Sequence, residues 1–241
     1  MNLVLDIGNT NSKFSVFKSD KLVDFGIWDS LNVKEEFQNW NSNNQNCESI
    51  IISDVLGINK SDFESISKCI LVWVSAKINL PFQINYKVPG ELGADRISLV
   101  AGAVFAYPKK HCLIIDIGTC ITYDFVSRNS SYLGGSISPG FSMRYNSINA
   151  NTSKLPRLKI TIPKKITGDS TEASIHSGIF YGIIGEIENQ IHFYKEKYKD
   201  LTIILTGGDS QYLANRIKNG IFASHNFISR GLFSILKLNN S

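Results

Sequence analysis

Twice in this chain an apolar strand runs into a short acidic turn containing glycine: Leu5-Asp6-Ile7-Gly8-Asn9-Thr10 and Ile115-Asp116-Ile117-Gly118-Thr119-Cys120. Each turn is followed by a second alternating run, at 13–17 and 122–126, so each predicts a β-hairpin with its acidic turn at the tip. Glycine lets backbone N–H groups approach a phosphate, the threonine adds a hydroxyl donor, and the carboxylate can hold a divalent ion directly or through water. One such turn is ordinary turn chemistry. Two in the same setting predict two similar halves facing one nucleotide.

A chain of 241 residues has room for a sizeable core and for two domains at roughly 150 residues each. The expected division is an N-terminal lobe over 1–110 and a C-terminal lobe over 111–241. With 43% hydrophobic and 19% charged residues, the composition is that of a globular protein rather than a disordered or fibrous one. The formal charge of +4 comes without an arginine-rich helix or a basic stripe interleaved with aromatics, so no nucleic-acid partner is expected. Lys154, Arg157, Lys159, Lys164 and Lys165 read as a solvated basic loop. The four cysteines lack metal-ligand spacing, and Cys112 and Cys120 read as reduced core residues. The first strand opens at Leu3 without a basic leader, and no apolar run nears the roughly 20 residues a bilayer requires. A cytoplasmic protein with no membrane partner is the expectation.

Along the chain, 21–26 extends the first hairpin into a meander, 41–46 reads as a loop, and 49–53 as a buried strand. The stretch 62–73 predicts a helix running into a strand, 81–88 an extended segment, and 94–107 a buried helix opened by Asp95 and Arg96 and ended by Pro108. In the second half a third strand reaches Ile137, followed by the turn at 134–140. Ile175, Ile179, Ile183, Ile187 and Ile191 recur every fourth residue and mark a long helix, with Asp169 and Glu172 at capping-box spacing. Gly178, Gly182 and Gly185 would let that helix pack closely. A strand at 203–206, a Gly207-Gly208-Asp209 turn, a helix over 210–218 and a terminal helix over 229–238 complete the reading.

Strand, acidic turn, strand and helix, repeated and followed by a late Thr-Gly-Gly-Asp turn, resembles the actin-like ATPase and sugar-kinase superfold. The resemblance implies an α/β protein of two similar actin-like (ribonuclease H-like) lobes, each a mixed sheet with an antiparallel hairpin meander flanked by helices. It sharpens because Asp-Ile-Gly-Asn-Thr at 6–10, Pro-Gly-Glu-Leu-Gly-Ala-Asp-Arg at 89–96, Asp-Ile-Gly-Thr at 116–119, the 134–140 turn and Thr206-Gly207-Gly208 follow the order and spacing of type III pantothenate kinases. Those enzymes phosphorylate pantothenate with ATP in the first step of coenzyme A biosynthesis. By this resemblance Asp95 is the proton acceptor, and Tyr86, Gly93, Ala94, Asp95, Arg96 and Thr171 bind pantothenate. Asp6, Ile7, Gly8, Asn9, Thr10, Asn11, Ser12 and Lys13 embrace ATP together with Thr119. Asp116 matches the cation position and Asp6 is a second metal candidate, for Mg²⁺; a monovalent cation, K⁺ or NH₄⁺, is also implied. Thr171 would reach the pocket from a partner subunit, so the resemblance implies a homodimer. Ser15, Cys120 and Ile121 depart from the family pattern at positions beside the two phosphate turns. Lys13 is read equally as a phosphate contact or a solvated charge, and Asp124 as a hairpin surface charge sooner than a cation neighbour.

The residue types suit the chemistry. Pantothenate offers a primary hydroxyl, a compact apolar body, an amide and a carboxylate, and Asp95 with Arg96 supplies a proton acceptor and a cation at a helix start. Phosphoryl transfer through a loose transition state leaves the acceptor proton until late, so a weak base is sufficient. No Gly-Lys-Ser/Thr follows a strand and no Gly-x-Gly-x-x-Gly opens a helix, which disfavours a P-loop kinase and a Rossmann dehydrogenase. The serines of 135–140 lack nucleophile-elbow spacing. Two alternatives stay open: an actin-like phosphotransferase or phosphohydrolase for another small molecule, and a non-catalytic nucleotide-binding regulator.

Overall fold

The computed structural model describes residues 1–214, 216–217, 220–224 and 226–240. In chain order the elements are β1 (Asn2–Ile7), β2 (Asn11–Lys18), β3 (Lys21–Asp29), α1 (Val33–Asn43), β4 (Ser49–Asp54), α2 (Lys60–Ile66), β5 (Ile70–Trp73), β6 (Gln83–Ile84) and α3 (Ala94–Ala106). Then come β7 (His111–Ile117), β8 (Cys120–Val126), β9 (Ser131–Pro139), α4 (Phe141–Ala150), α5 (Thr171–Lys197), β10 (Leu201–Thr206), β11 (Ile221–Phe222) and α6 (Phe227–Asn239). By packing they form two units, one of Met1–Lys109, Val126–Gly134 and Ser224–Ser241, the other of Lys110–Phe125 and Gly135–Ala223.

The first unit is built on a five-stranded sheet in the order β3-β2-β1-β4-β5. β1 pairs antiparallel with β2 and parallel with β4. Both strands are apolar on both faces because helices cover both sides, as parallel pairing requires. On one face Leu3, Leu5, Ile7, Ile50 and Ile52 pack with Val33 and Phe37 of α1 and Phe63 of α2. On the other, α6 lies on β2, with Phe17 stacked 4.2 Å from Phe233 and the Ser15 hydroxyl donating to Ser229 at 2.8 Å. The serine where the family resemblance leads one to expect glycine is thus buried and bonded. α6 also packs on α3, where a Cβ on Gly231 would strike Gly102 and the Ser98 carbonyl.

In the second unit the strand order is β11-β10-β7-β8, with β7 parallel to β10. The isoleucine stripe of α5 buries Ile175, Ile179, Ile183, Ile187 and Ile191 against Leu113, Ile115, Ile121 and Tyr123 of β7 and β8. This every-fourth-residue face is what the periodicity predicts.

Several local expectations change. The 41–46 stretch is helical as far as Asn43, since α1 follows the apolar face of Val33 and Phe37. Ser170 rather than Asp169 caps α5, its hydroxyl accepting from the Ala173 N–H at 3.2 Å, while Asp169 pairs with Lys165 at 2.8 Å. Gly178 and Gly185 have open space where a Cβ would stand and Gly182 meets only the tip of Arg144, so the close packing expected at these glycines is not made among the described residues. The expected 210–218 helix is a 3₁₀ turn over Gly208–Leu213; residues 215 and 218 of the expected span lie outside the described residues. Cys120 is half-exposed rather than core, whereas burial pushes the Cys47 and Cys112 thiols up to about 12.

Candidate active site

In the first unit the site starts from cross-strand register. β1 ends at Ile7, and its last charged residue, Asp6, stands opposite Lys13 on β2 and Ser53 on β4. Burial pushes the Asp6 carboxyl up to about 6; the Ser53 hydroxyl and the Lys13 ammonium act against that rise, and the carboxylate of Asp95 adds to it. Asp6 and Asp95, 89 positions apart in sequence, are therefore close enough to sense each other's charge. The turn between β1 and β2 is braced from below. The Ser30 hydroxyl donates to the Gly8 carbonyl at 2.8 Å and lies 2.9 Å from the Ser12 hydroxyl, leaving Asn9, Thr10 and Asn11 exposed at the tip. Ile7 is buried, and the Ser12 hydroxyl is committed to Ser30, while Lys13 is exposed.

Asp95 sits in the first turn of α3. Of residues 94–103 every one is buried except Asp95, so the helix presents a single half-exposed carboxylate at its N-terminal end. Its Oδ1 accepts from the Arg96 N–H at 2.8 Å, and Gly93 has no side chain because a Cβ there would stand 2.5 Å from that oxygen. Arg96 is only 7% exposed, a buried cation rather than a surface one. Tyr86 is half-buried beside Tyr132, and its ring faces Gly134, which has φ +101°.

In the second unit Asp116, the penultimate residue of β7, stands opposite Thr206 of β10. Gly207 follows with φ +94°, and a Cβ on it would collide with Asp116 and Ile117. Gly140, at the start of α4, donates its N–H to the Thr119 carbonyl at 3.1 Å and likewise has no room for a Cβ against Gly118 and Thr119. Two glycine turns far apart in sequence thus close on the second acidic turn, where Thr119 is exposed. Asp124 is fully buried, which overturns its reading as a surface charge; the even face of β8 that carries it is covered as completely as the odd one.

Thr171 is the first residue of α5 and is exposed. It lines a cavity of about 920 Å³ with Pro139, Arg144, Ser147, Ser174 and Gly178. The sequence reading lacks this cavity because α4, whose apolar pattern is weak, forms one wall.

The type III pantothenate kinase family model matches residues 2–192. A type III pantothenate kinase of Christiangramia forsetii is 44% identical over 100% of both chains, and one of Flavobacterium psychrophilum is 42% identical over 96% of this chain and 97% of that one. This chain belongs to the type III pantothenate kinase family. Among solved structures, a Campylobacter jejuni protein proposed to be a Baf family transcriptional activator matches with TM-score 0.65 at 25% identity, covering 99% of this chain and 98% of that one. MreB5 of Spiroplasma citri bound to ADP covers 98% and 96% at TM-score 0.55 and 11% identity, and a glucokinase from an Antarctic psychrotroph 100% and 99% at 0.54 and 11%. These share the actin-like ATPase and sugar-kinase fold with this member of the family.

A kinase of this family works on ATP with a metal ion. Among the described residues no three His, Cys, Asp or Glu side chains gather into a metal-sized group. Mg²⁺ keeps several waters and takes one or two carboxylates plus substrate phosphates rather than a protein cage. Asp6 fits that role: its carboxyl is held up near 6 by burial, and a bound dication would favour the ionised form. Among the described residues no helix is long and apolar enough to cross a membrane.

Proposed function

We propose that this chain transfers the γ-phosphoryl group of ATP to the primary hydroxyl of pantothenate, with Asp95 as proton acceptor. The observation that carries this is Asp95 itself, the one half-exposed residue in an otherwise buried start of α3, within electrostatic reach of Asp6 on the first phosphate turn. A carboxylate so placed orients the hydroxyl and takes its proton as the new P–O bond forms. Tyr86, Gly93, Ala94 and Arg96 line the acceptor's place. The 6–13 turn and Thr119 take the ATP phosphates, Lys13 adding positive charge next to them. Asp6 and Asp116 hold Mg²⁺, which when bound neutralises charge on the phosphates. A monovalent cation, K⁺ or NH₄⁺, adds to that neutralisation. The working form is a homodimer in which Thr171 of each subunit serves its partner's pantothenate pocket; Thr171 being exposed beside the open glycines of α5 supports that role. The compartment is the cytoplasm, where the thiols stay reduced.

Coupled ADP release tests the reading. Turnover that depends on pantothenate is the expected result. ADP release without acceptor would make the protein a hydrolase, and another alcohol as the better acceptor would make it a different phosphotransferase. The likeness to the Baf family protein favours one competing reading, a regulator that binds nucleotide without turning it over. ATP binding with no turnover would establish it.

A further inference from the structure

Three donors from three different elements converge on one carboxylate in the second unit. Glu186 of α5 accepts through Oε1 from the Tyr123 hydroxyl of β8 at 2.7 Å and from the Ser138 hydroxyl of β9 at 2.5 Å. Its Oε2 meets Nη2 of Arg144 of α4 at 2.5 Å. Arg144 spends a second donor, Nε, on the Pro139 carbonyl at 2.8 Å. Neither partner of the ion pair is in open water, with side chains 27% and 22% exposed, so the charge-assisted bonds are only weakly screened. Hydrogen bonding to the charged form holds Glu186 below its usual carboxylate range.

What this network grips is the corner from β9 into α4: Ser138, Pro139 and, one residue on, Gly140. Gly140 is in turn seated on the second acidic turn, donating its N–H to Thr119 and touching Gly118 so closely that no side chain fits. A path of direct contacts runs from Glu186 through Ser138 and Arg144 to Gly140, and from there to the backbone of Gly118 and Thr119.

We propose that Glu186 is a positioning residue for nucleotide binding: it fixes the 138–140 corner and thereby the Asp116-to-Thr119 turn, without touching substrate itself. The inference rests on the kinase reading only in taking that turn as a phosphate-binding one. A backbone cradle out of place by about 1 Å loses much of its worth to a bound group, so the larger loss falls on ATP, although Arg144 and Pro139 also line the cavity that holds Thr171.

The test is Glu186→Gln, which keeps the shape and removes the charge, with Ser138→Ala as a milder variant that spares the ion pair. Calorimetric Kd for Mg·ATP, steady-state KM for each substrate and Tm are read for both. The expected result is a rise of about fivefold or more in Kd and KM for ATP, equivalent to roughly 1 kcal/mol. The pantothenate KM stays within about twofold, and Ser138→Ala shifts the ATP values in the same direction by less. Unchanged ATP affinity, or equal weakening of both substrates, overturns the proposal. If Glu186→Gln does not fold, Ser138→Ala decides by the same criterion. Because the Kd for Mg·ATP is read without an acceptor, failure of wild-type protein to phosphorylate pantothenate would sink the kinase reading and leave this test standing.

Discussion

Asp95→Asn keeps the side chain's size and its acceptor oxygen for the Arg96 amide while removing the proposed proton acceptor. Turnover should fall by about 10²–10⁴, the range general-base groups contribute, with ATP and pantothenate KM values little changed. Steady-state kinetics check it, and wild-type turnover would dismiss the assignment. Glu186 carries a separate prediction in pH. Its carboxyl is held below the ordinary value by the Ser138 and Tyr123 hydroxyls and Arg144, against the opposing effect of burial. A group with a depressed folded-state pKa contributes stability above the ordinary carboxylate range and loses it as pH falls through the folded value. Thermal melts of wild type and Glu186→Gln should therefore differ most near neutrality and converge in acid; a constant gap would mean the charge is not what stabilises. The motifs together with the family resemblance named Asp95, Asp6 and Asp116. They gave no sign of Glu186, because nothing in a helix of isoleucines and glycines marks one exposed-looking acid as the anchor of three elements.

At the level of elements, the strands and the long helix were legible because their periodicities are strong, while the ends and the weakly patterned pieces were not. The α5 stripe predicts its buried face, yet the cap moved one residue to Ser170, since Asp169 finds Lys165 instead. Ser170→Ala should cost about 1 kcal/mol, read as a lowered urea midpoint with an unchanged slope. α4 was missed entirely: Phe141 and Tyr145 are the buried residues of an otherwise polar helix. The glycine turn after β10 makes a sharper prediction. Gly207 holds φ +94° against Asp116 and Ile117, so Gly207→Ala combines strain of about 1–3 kcal/mol with a clash at a proposed metal ligand. Lost turnover together with a lowered Tm is expected; an active, equally stable variant would show that the turn can rearrange.

For the whole molecule, the dimer proposal is tested by complementation. Co-expressed Asp95→Asn and Thr171→Arg subunits form mixed dimers in which one of the two pockets holds an intact Asp95 and its partner's intact Thr171. A random mixture should regain about a quarter of wild-type turnover, because half the symmetric dimers are mixed and each restores one site. No recovery, with both variants dimeric by sedimentation, would place Thr171 outside the partner's pocket. The two acidic hairpins, the actin-like fold and the family are legible along the chain, because they depend on local spacing: an apolar strand, a glycine where backbone must come close, and a carboxylate two residues before it. It takes the packed fold to bring α6 onto α3 through Gly231 and Gly102, to bury Asp124 and Arg96, to let Asp6 sense Asp95, and to have Glu186 tie the 138–140 corner to three elements. Burial and charge coupling arise between residues far apart along the chain, and no local pattern encodes which of them will meet.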